Sequence, residues 1–167
     1  MKILIFGIVA SGKTTLARRL SQKYNIPFYE GDSIAWGGYH EERYKRSDIE
    51  QLNRILEIDK RVNWIIEGTY RESQKCLFDM ADIIIFLDTP LYIRKIRIIT
   101  RFIKQKLRVE KCNYDPTIKM LKNMFKWTES FENKRSKYEK MLLEYEDKLI
   151  RIKKEKELYE KCFNRMF

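Results

Sequence analysis

Residues 7–14 read Gly7-Ile8-Val9-Ala10-Ser11-Gly12-Lys13-Thr14. The apolar run before them, Ile3-Leu4-Ile5-Phe6, reads as a fully buried strand. After them, Leu16, Ala17 and Leu20 recur at helical spacing in a segment that ends near Tyr24. The pattern G-x-x-x-x-G-K-[ST] therefore stands between a strand and a helix, the context in which it folds as a phosphate-binding loop. Gly7 and Gly12 let the backbone curl until successive N–H groups face one anion. The helix N-terminus adds about half a positive charge aimed at the same point. The chain has only 6 glycines, so two of them falling at these fixed positions is a poor fit to chance. The expected phosphate cradle is Gly7, Ala10, Ser11, Gly12, Lys13, Thr14 and Thr15. Lys13 would reach the β- and γ-phosphates of ATP, and the Thr14 hydroxyl would be a ligand of Mg²⁺.

The chain has 167 residues, 44% of them hydrophobic, enough for one domain with a sizeable core. We expect a single unit over 1–167. The formal net charge of +11 favours anionic partners such as nucleotides, nucleic acid or an anionic surface. Cys76, Cys112 and Cys162 show no C-x-x-C spacing, which suggests free thiols in a reducing compartment. The N-terminus runs straight into a strand, which leaves no room for a signal peptide, and no apolar run is long enough to span a membrane. A cytoplasmic protein with no membrane partner, monomeric or dimeric, is the expectation.

Along the chain, Asn25 to Glu30 predicts a second strand, with Pro27 tolerated at an edge or at the first strand position. It runs into Gly31-Asp32, followed by a loop from Ser33 to Arg46. The aromatic residues of that loop, Trp36, Tyr39 and Tyr44, either stack a base or close over a substrate, or they pack the loop on the body. Ser47 and Glu50 form a capping-box signature, with Leu52, Ile55 and Leu56 as the expected buried face. Asn63 to Glu67 predicts a third strand, and Asp82 to Asp88 a fourth, almost wholly apolar, as in a sheet covered on both faces. A basic helix is expected from Leu91 to about Leu107. Pro116 would open the next helix at its first position. Its expected apolar face is Met120, Leu121, Met124, Phe125 and Trp127. Tyr138, Met141, Leu142 and Tyr145 form a further face, 148–152 a fifth strand, and a polar helix follows.

This order predicts an α/β, three-layer P-loop NTPase fold. Its five-stranded parallel sheet would have strand order 2-3-1-4-5, with helices on both faces. Residues 33–62 would form an acceptor side and 91–146 a basic helical lid or insertion. From Arg94 to Lys126 there are eleven Lys or Arg and two acids, a net of +9. That charge admits nucleic acid as a partner through helices 94–126, and it equally suits a lid over a nucleotide.

Three motifs resemble the nucleoside-monophosphate-kinase branch of the P-loop proteins. The first is the loop itself. The second is Trp64-Ile65-Ile66-Glu67-Gly68-Thr69-Tyr70-Arg71, similar to the adenylate-kinase segment in which a strand ends in an acid, then Gly, with Arg three residues later. The third is Ile83 through Asp88-Thr89-Pro90 followed by Arg97 and Arg101, two arginines four apart as in the adenylate-kinase lid pattern. Within that branch the chain most resembles the small bacterial DNA topology modulation proteins (FlaR-like), through Ile26-Pro27, Asp32, Ile34, Trp36 and the W-I-I-[DE]-G-x-Y segment. The resemblance is good to about Arg101 and weaker beyond. Glu67 stands where Asp is more usual, and Tyr70 where adenylate kinase has Pro.

Phosphoryl transfer requires the charge on the transferred group to be cancelled and the nucleophile aligned. Glu67 either holds a water bound to Mg²⁺ or caps a loop. Asp32 either accepts a proton from a substrate hydroxyl or caps a turn or helix. Arg71, Arg97 and Arg101 offer bidentate forks to phosphate oxygens. Asp88 ends a strand and is expected to cap the helix that follows. The expected activity is transfer of the ATP γ-phosphoryl group to a small acceptor, a nucleotide or other metabolite, with catalytic roles for Lys13, Asp32, Arg71, Arg97 and Arg101. An ATP-dependent nucleic-acid regulator and a plain ATPase remain the alternatives.

Overall fold

The structure, a computed structural model, describes residues 1–38, 42–109, 116–154 and 157–158. In chain order the first elements are β1 (Lys2–Phe6), α1 (Lys13–Tyr24), β2 (Phe28–Glu30), α2 (Gly31–Ala35), β3 (Trp36–Gly37), β4 (Tyr44–Lys45) and α3 (Asp48–Asp59). They are followed by β5 (Trp64–Gly68), α4 (Cys76–Met80), β6 (Ile83–Leu87), α5 (Leu91–Lys106), α6 (Ile118–Asn133), α7 (Arg135–Leu143) and β7 (Leu149–Ile152). One sheet has the order β2-β5-β1-β6-β7 with every pairing parallel. Counting only these five strands, the order is 2-3-1-4-5, as the sequence predicts. The fold is α/β, with helices flanking both faces of the sheet.

The continuous apolar runs follow from that layering, because successive side chains of β1 point to opposite faces. Ile3 and Ile5 meet Leu16, Ala17 and Leu20 of α1 on one face. Leu4 and Phe6 meet Ile55 of α3, Phe78 of α4, and Phe131 and Leu142 of α6 and α7 on the other. Right-handed crossovers require this division, since α1 carries the chain outward from β1 to β2 and α3 brings it back to β5. Phe6 is the hub of the second face, with its ring 5.1 Å from that of Phe86 and 5.6 Å from that of Phe78. Burying each such ring contributes about 2–3 kcal/mol.

Several expectations change. The second strand begins only at Phe28, so Pro27 lies outside it, and its carbonyl accepts from Ile65 N. The stretch 33–46 contains the end of α2 and a small antiparallel ribbon, β3–β4, rather than loop throughout; Tyr39 and His40 lie outside the described residues. On α3 the capping box forms as read, but the buried residues are Gln51 and Ile55, and Leu52 and Leu56 are exposed. α6 begins at Ile118 rather than at Pro116; Thr117 caps it, and its hydroxyl accepts from Met120 N at 3.1 Å. The face of α6 that is fully buried is Met124, Thr128 and Phe131, while Trp127 is exposed. Most of the expected C-terminal helix lies outside the described residues. Among the described residues, no helix is long and apolar enough to cross a membrane.

Candidate active site

α1 starts directly after Gly12, whose φ of 105° lies in the left-handed region and which brings no side-chain cap. Ala10 is also left-handed, at φ 59°. The first N–H groups of α1 are therefore left without a capping side chain, and the preceding turn is curled as an anion nest requires. A Cβ on Gly7 would come within 3.0 Å of the Leu87 carbonyl oxygen, so the loop lies flush on β6. Ser11 Oγ is buried without a hydrogen-bond partner among the described contacts. Lys13 Nζ donates to the Ile8 carbonyl at 3.0 Å. Burial pushes the Lys13 ammonium below its ordinary value; Glu67 and Asp32 oppose the shift, and Arg71 and Arg101 add to it.

Thr14 Oγ1 donates to Glu67 Oε1 at 2.8 Å, so the two residues expected at a metal are in direct contact. Glu67 is 6% exposed at the end of β5. Burial raises its pKa, partly offset by Lys13 and by the Thr14 hydrogen bond. Among the described residues no group of three His, Cys, Asp or Glu could hold a metal alone. One hydroxyl and one carboxylate suit Mg²⁺ nonetheless, because that ion keeps several waters and takes other ligands from substrate phosphates.

Across the cleft, Asp32 lies in the first turn of α2 and accepts from Arg71 Nη2 at 2.5 Å. The carboxylate is engaged by a guanidinium rather than by a helix end. The other Arg71 terminal nitrogen, Nη1, is buried without a partner. Behind the pair, Gln74 Nε2 donates to the Gly31 carbonyl at 3.0 Å and to Gln51 Oε1 at 3.1 Å. These buried amides fix the β2–α2 corner, and a pattern reading that places polar residues on the outside passes over them.

Arg97 Nη1 donates to the carbonyls of Ser11 at 2.8 Å and Ala10 at 3.3 Å. It braces the phosphate loop from behind. Thr89 Oγ1 donates to the same Ser11 carbonyl at 2.9 Å, and Arg94 Nε to the Thr89 carbonyl at 2.8 Å. Arg94 is fully buried and its Nη2 donates to Glu132 on α6. Thr89 stands inside the Asp88-Thr89-Pro90 motif, but nothing in that motif assigns a role to its hydroxyl, and Arg94 is hidden in a run of basic residues that reads as solvated. Asp88 does not cap α5; it accepts from Arg135 Nη2 at 2.9 Å, because the helix cap falls at Pro90. Gly7, Ala10, Ser11, Gly12, Lys13, Thr14, Thr15, Asp32, Glu67, Arg71, Arg97 and Arg101 all line one cleft of about 1490 Å³. Trp36, with the Arg43 guanidinium 4.9 Å from its ring centre, lines the same cleft.

The profile of a family described as an AAA domain matches residues 3–114. No curated protein matches the chain. Among solved structures, the deoxyadenosine kinase from M. mycoides with bound dATP aligns over 99% of both chains with a TM-score of 0.54 at 18% identity. An uncharacterized protein from Eubacterium ventriosum ATCC 27560 aligns over 91% of this chain and 88% of that one, with a TM-score of 0.51 at 18% identity. A gluconokinase from Sinorhizobium meliloti 1021 aligns over 60% of this chain and 64% of that one, with a TM-score of 0.40 at 18% identity. The first two likenesses are likenesses of fold, and that fold is P-loop kinase-like.

Proposed function

Since the chain belongs to the AAA domain family, we propose that it is a Mg·ATP-dependent phosphotransferase acting on a small acceptor, a nucleotide or other metabolite. The observation that carries this reading is the Asp32–Arg71 pair facing the phosphate loop across one cleft. A site that only stored or hydrolysed nucleotide would have no use for a second subsite there built from a paired carboxylate and guanidinium. In this reading the chain sits in the adenylate-kinase-like branch and nearest the DNA topology modulation proteins, and that lineage leaves the acceptor open.

The uncapped N-terminus of α1 and the nest at Ala10–Gly12 bind the donor phosphates, and Lys13 leaves the Ile8 carbonyl for the β- and γ-oxygens. Thr14 and Glu67 would hold Mg²⁺, and the ion would supply positive charge against the donor phosphates. Arg97 keeps the loop carbonyls turned away from the phosphates, and Arg101 adds positive charge from the α5 wall. Arg71 anchors the acceptor through its second terminal nitrogen. Asp32, freed from Arg71 as the acceptor enters, takes the proton of the attacking hydroxyl. Each of these groups is asked for roughly 2–4 kcal/mol of transition-state stabilisation.

The test is ADP release coupled to a spectrophotometric readout, with a panel of nucleotides, sugars and polyols. An acceptor that stimulates release over the ATP-only rate is expected. Tight ATP binding with no stimulation by any acceptor would sink the proposal in favour of a plain ATPase or a nucleotide-sensing regulator.

A further inference from the structure

α5 is inside out. Its buried residues are Arg94, Ile98 and Gln105, whereas Tyr92, Ile96, Ile99, Ile103 and Leu107, just beyond its end, are 47–69% exposed. At 100° per residue these five fall within a stripe about 80° wide, opposite the buried side. Their spacing of four, three, four and four is that of a helix-packing seam, narrower than the face with which a helix lies in a lipid surface. α5 carries six Lys or Arg and no acid, and Lys95 and Lys106 flank the seam on the side away from the cleft.

α3 presents the complement. Its exposed apolar residues are Ile49, Leu52 and Leu56, spaced three and four. Asp48 and Glu57 flank them on either side, and the helix has four acids against one base, Arg54. α3 stands by the β2 end of the sheet and α5 by the β6–β7 end, so one copy does not bring its own two seams together.

We propose that the α5 seam of one copy packs on the α3 seam of a second copy, apolar stripe to apolar stripe, with Lys95 and Lys106 along the edge that carries Asp48, while Glu57 on the far edge adds to the acidic field of α3. Charge complementarity selects this occupant. An α5–α5 pairing would oppose two all-basic flanks, and an α3–α3 pairing two acidic ones. The contact is head-to-tail, so it leaves a free seam at each end of a pair and adds further copies. One helix pair falls short of the roughly 1,200 Å² of a tight interface, which places the association in the micromolar range or weaker.

Sedimentation velocity tests this over a concentration series from about 5 to about 300 µM at low and high salt. The weight-average mass should rise above 20.4 kDa with concentration and fall back as salt is added. K95E/K106E and D48K/E57K, which touch nothing in the cleft, should each abolish the rise while leaving the nucleotide-induced melting shift unchanged. Mixing the two variants should restore it, because each then offers the other a complementary seam. Restoration also shows that both variants are folded. A strictly monomeric wild type overturns the proposal. So does loss of association on altering α5 but not α3, which would assign the seam to α5 self-pairing. A monomer that instead binds phosphatidylserine vesicles through Lys95 and Lys106 overturns it in favour of a lipid surface.

Discussion

At the scale of single residues, the site places ionisable groups where burial opposes their charged forms. Glu67 is neutral in both folded and unfolded chains below its ordinary 4.5. As pH rises from there through its raised folded value, the fold must carry a buried carboxylate and loses stability. Glu67→Gln removes that loss, so its melting temperature should exceed wild type by a margin that widens across the same window. The same variant should lower Mg-dependent turnover about a hundredfold. Asp32→Asn should leave ATP affinity within about twofold while reducing acceptor-stimulated ADP release about a hundredfold, measured in the coupled assay. Equal losses of ATP binding and turnover would place Asp32 on the donor side. The donor side was legible in the sequence because a phosphate nest demands glycines and Lys-Thr at fixed offsets. Arg94 was not, since nothing local distinguishes a buried guanidinium from its solvated neighbours. Its partner Glu132 lies 38 residues away.

At the scale of elements, legibility followed how local the determinant is. The capping box of α3 closes within four residues; Ser47 Oγ accepts from Glu50 N at 3.3 Å and Glu50 Oε2 from Ser47 N at 2.8 Å. Ser47→Ala should cost about 1 kcal/mol, seen as a fall of about 2–4 °C in melting temperature with ATP affinity unchanged. Which face of α3 turns inward is not local. Gln51 is buried because Ser73 and Gln74 reach it from the next crossover, and Leu52 and Leu56 are displaced outward. The β3–β4 ribbon was missed for a similar reason. Tyr44 covers Gly37 so closely that a Cβ there would lie 2.6 Å from its ring, and Arg46 donates to the carbonyls of Ser33 at 2.7 Å and Ile34 at 3.1 Å. Those bonds come from residues that a composition reading sees only as loop.

At the scale of the whole molecule, the proposed donor site is where the chain's distant parts meet: Glu67 from β5, Thr89 after β6 and Arg97 from α5 all reach the loop and helix that follow β1. A ligand that fills this site should stabilise the entire fold. At a hundredfold excess over Kd, ATP with Mg²⁺ contributes about 2.7 kcal/mol, a rise of about 5–10 °C by calorimetry. Lys13→Ala should remove most of that rise without moving the melting temperature of the free protein downward, because a desolvated ammonium goes with it. The strand order has a consequence for how the protein is made. β1 lies at the centre of the sheet, yet its neighbour β6 ends at Leu87, about eighty residues later. At a translation rate of about 5–20 residues per second, Ile3 to Phe6 leave the ribosome roughly 4–16 seconds before that neighbour is complete. Until β5 is complete at Gly68 the nascent β1 lacks both neighbours, and from then until Leu87 it lacks one, which makes Ile3 to Phe6 a place for a chaperone to hold.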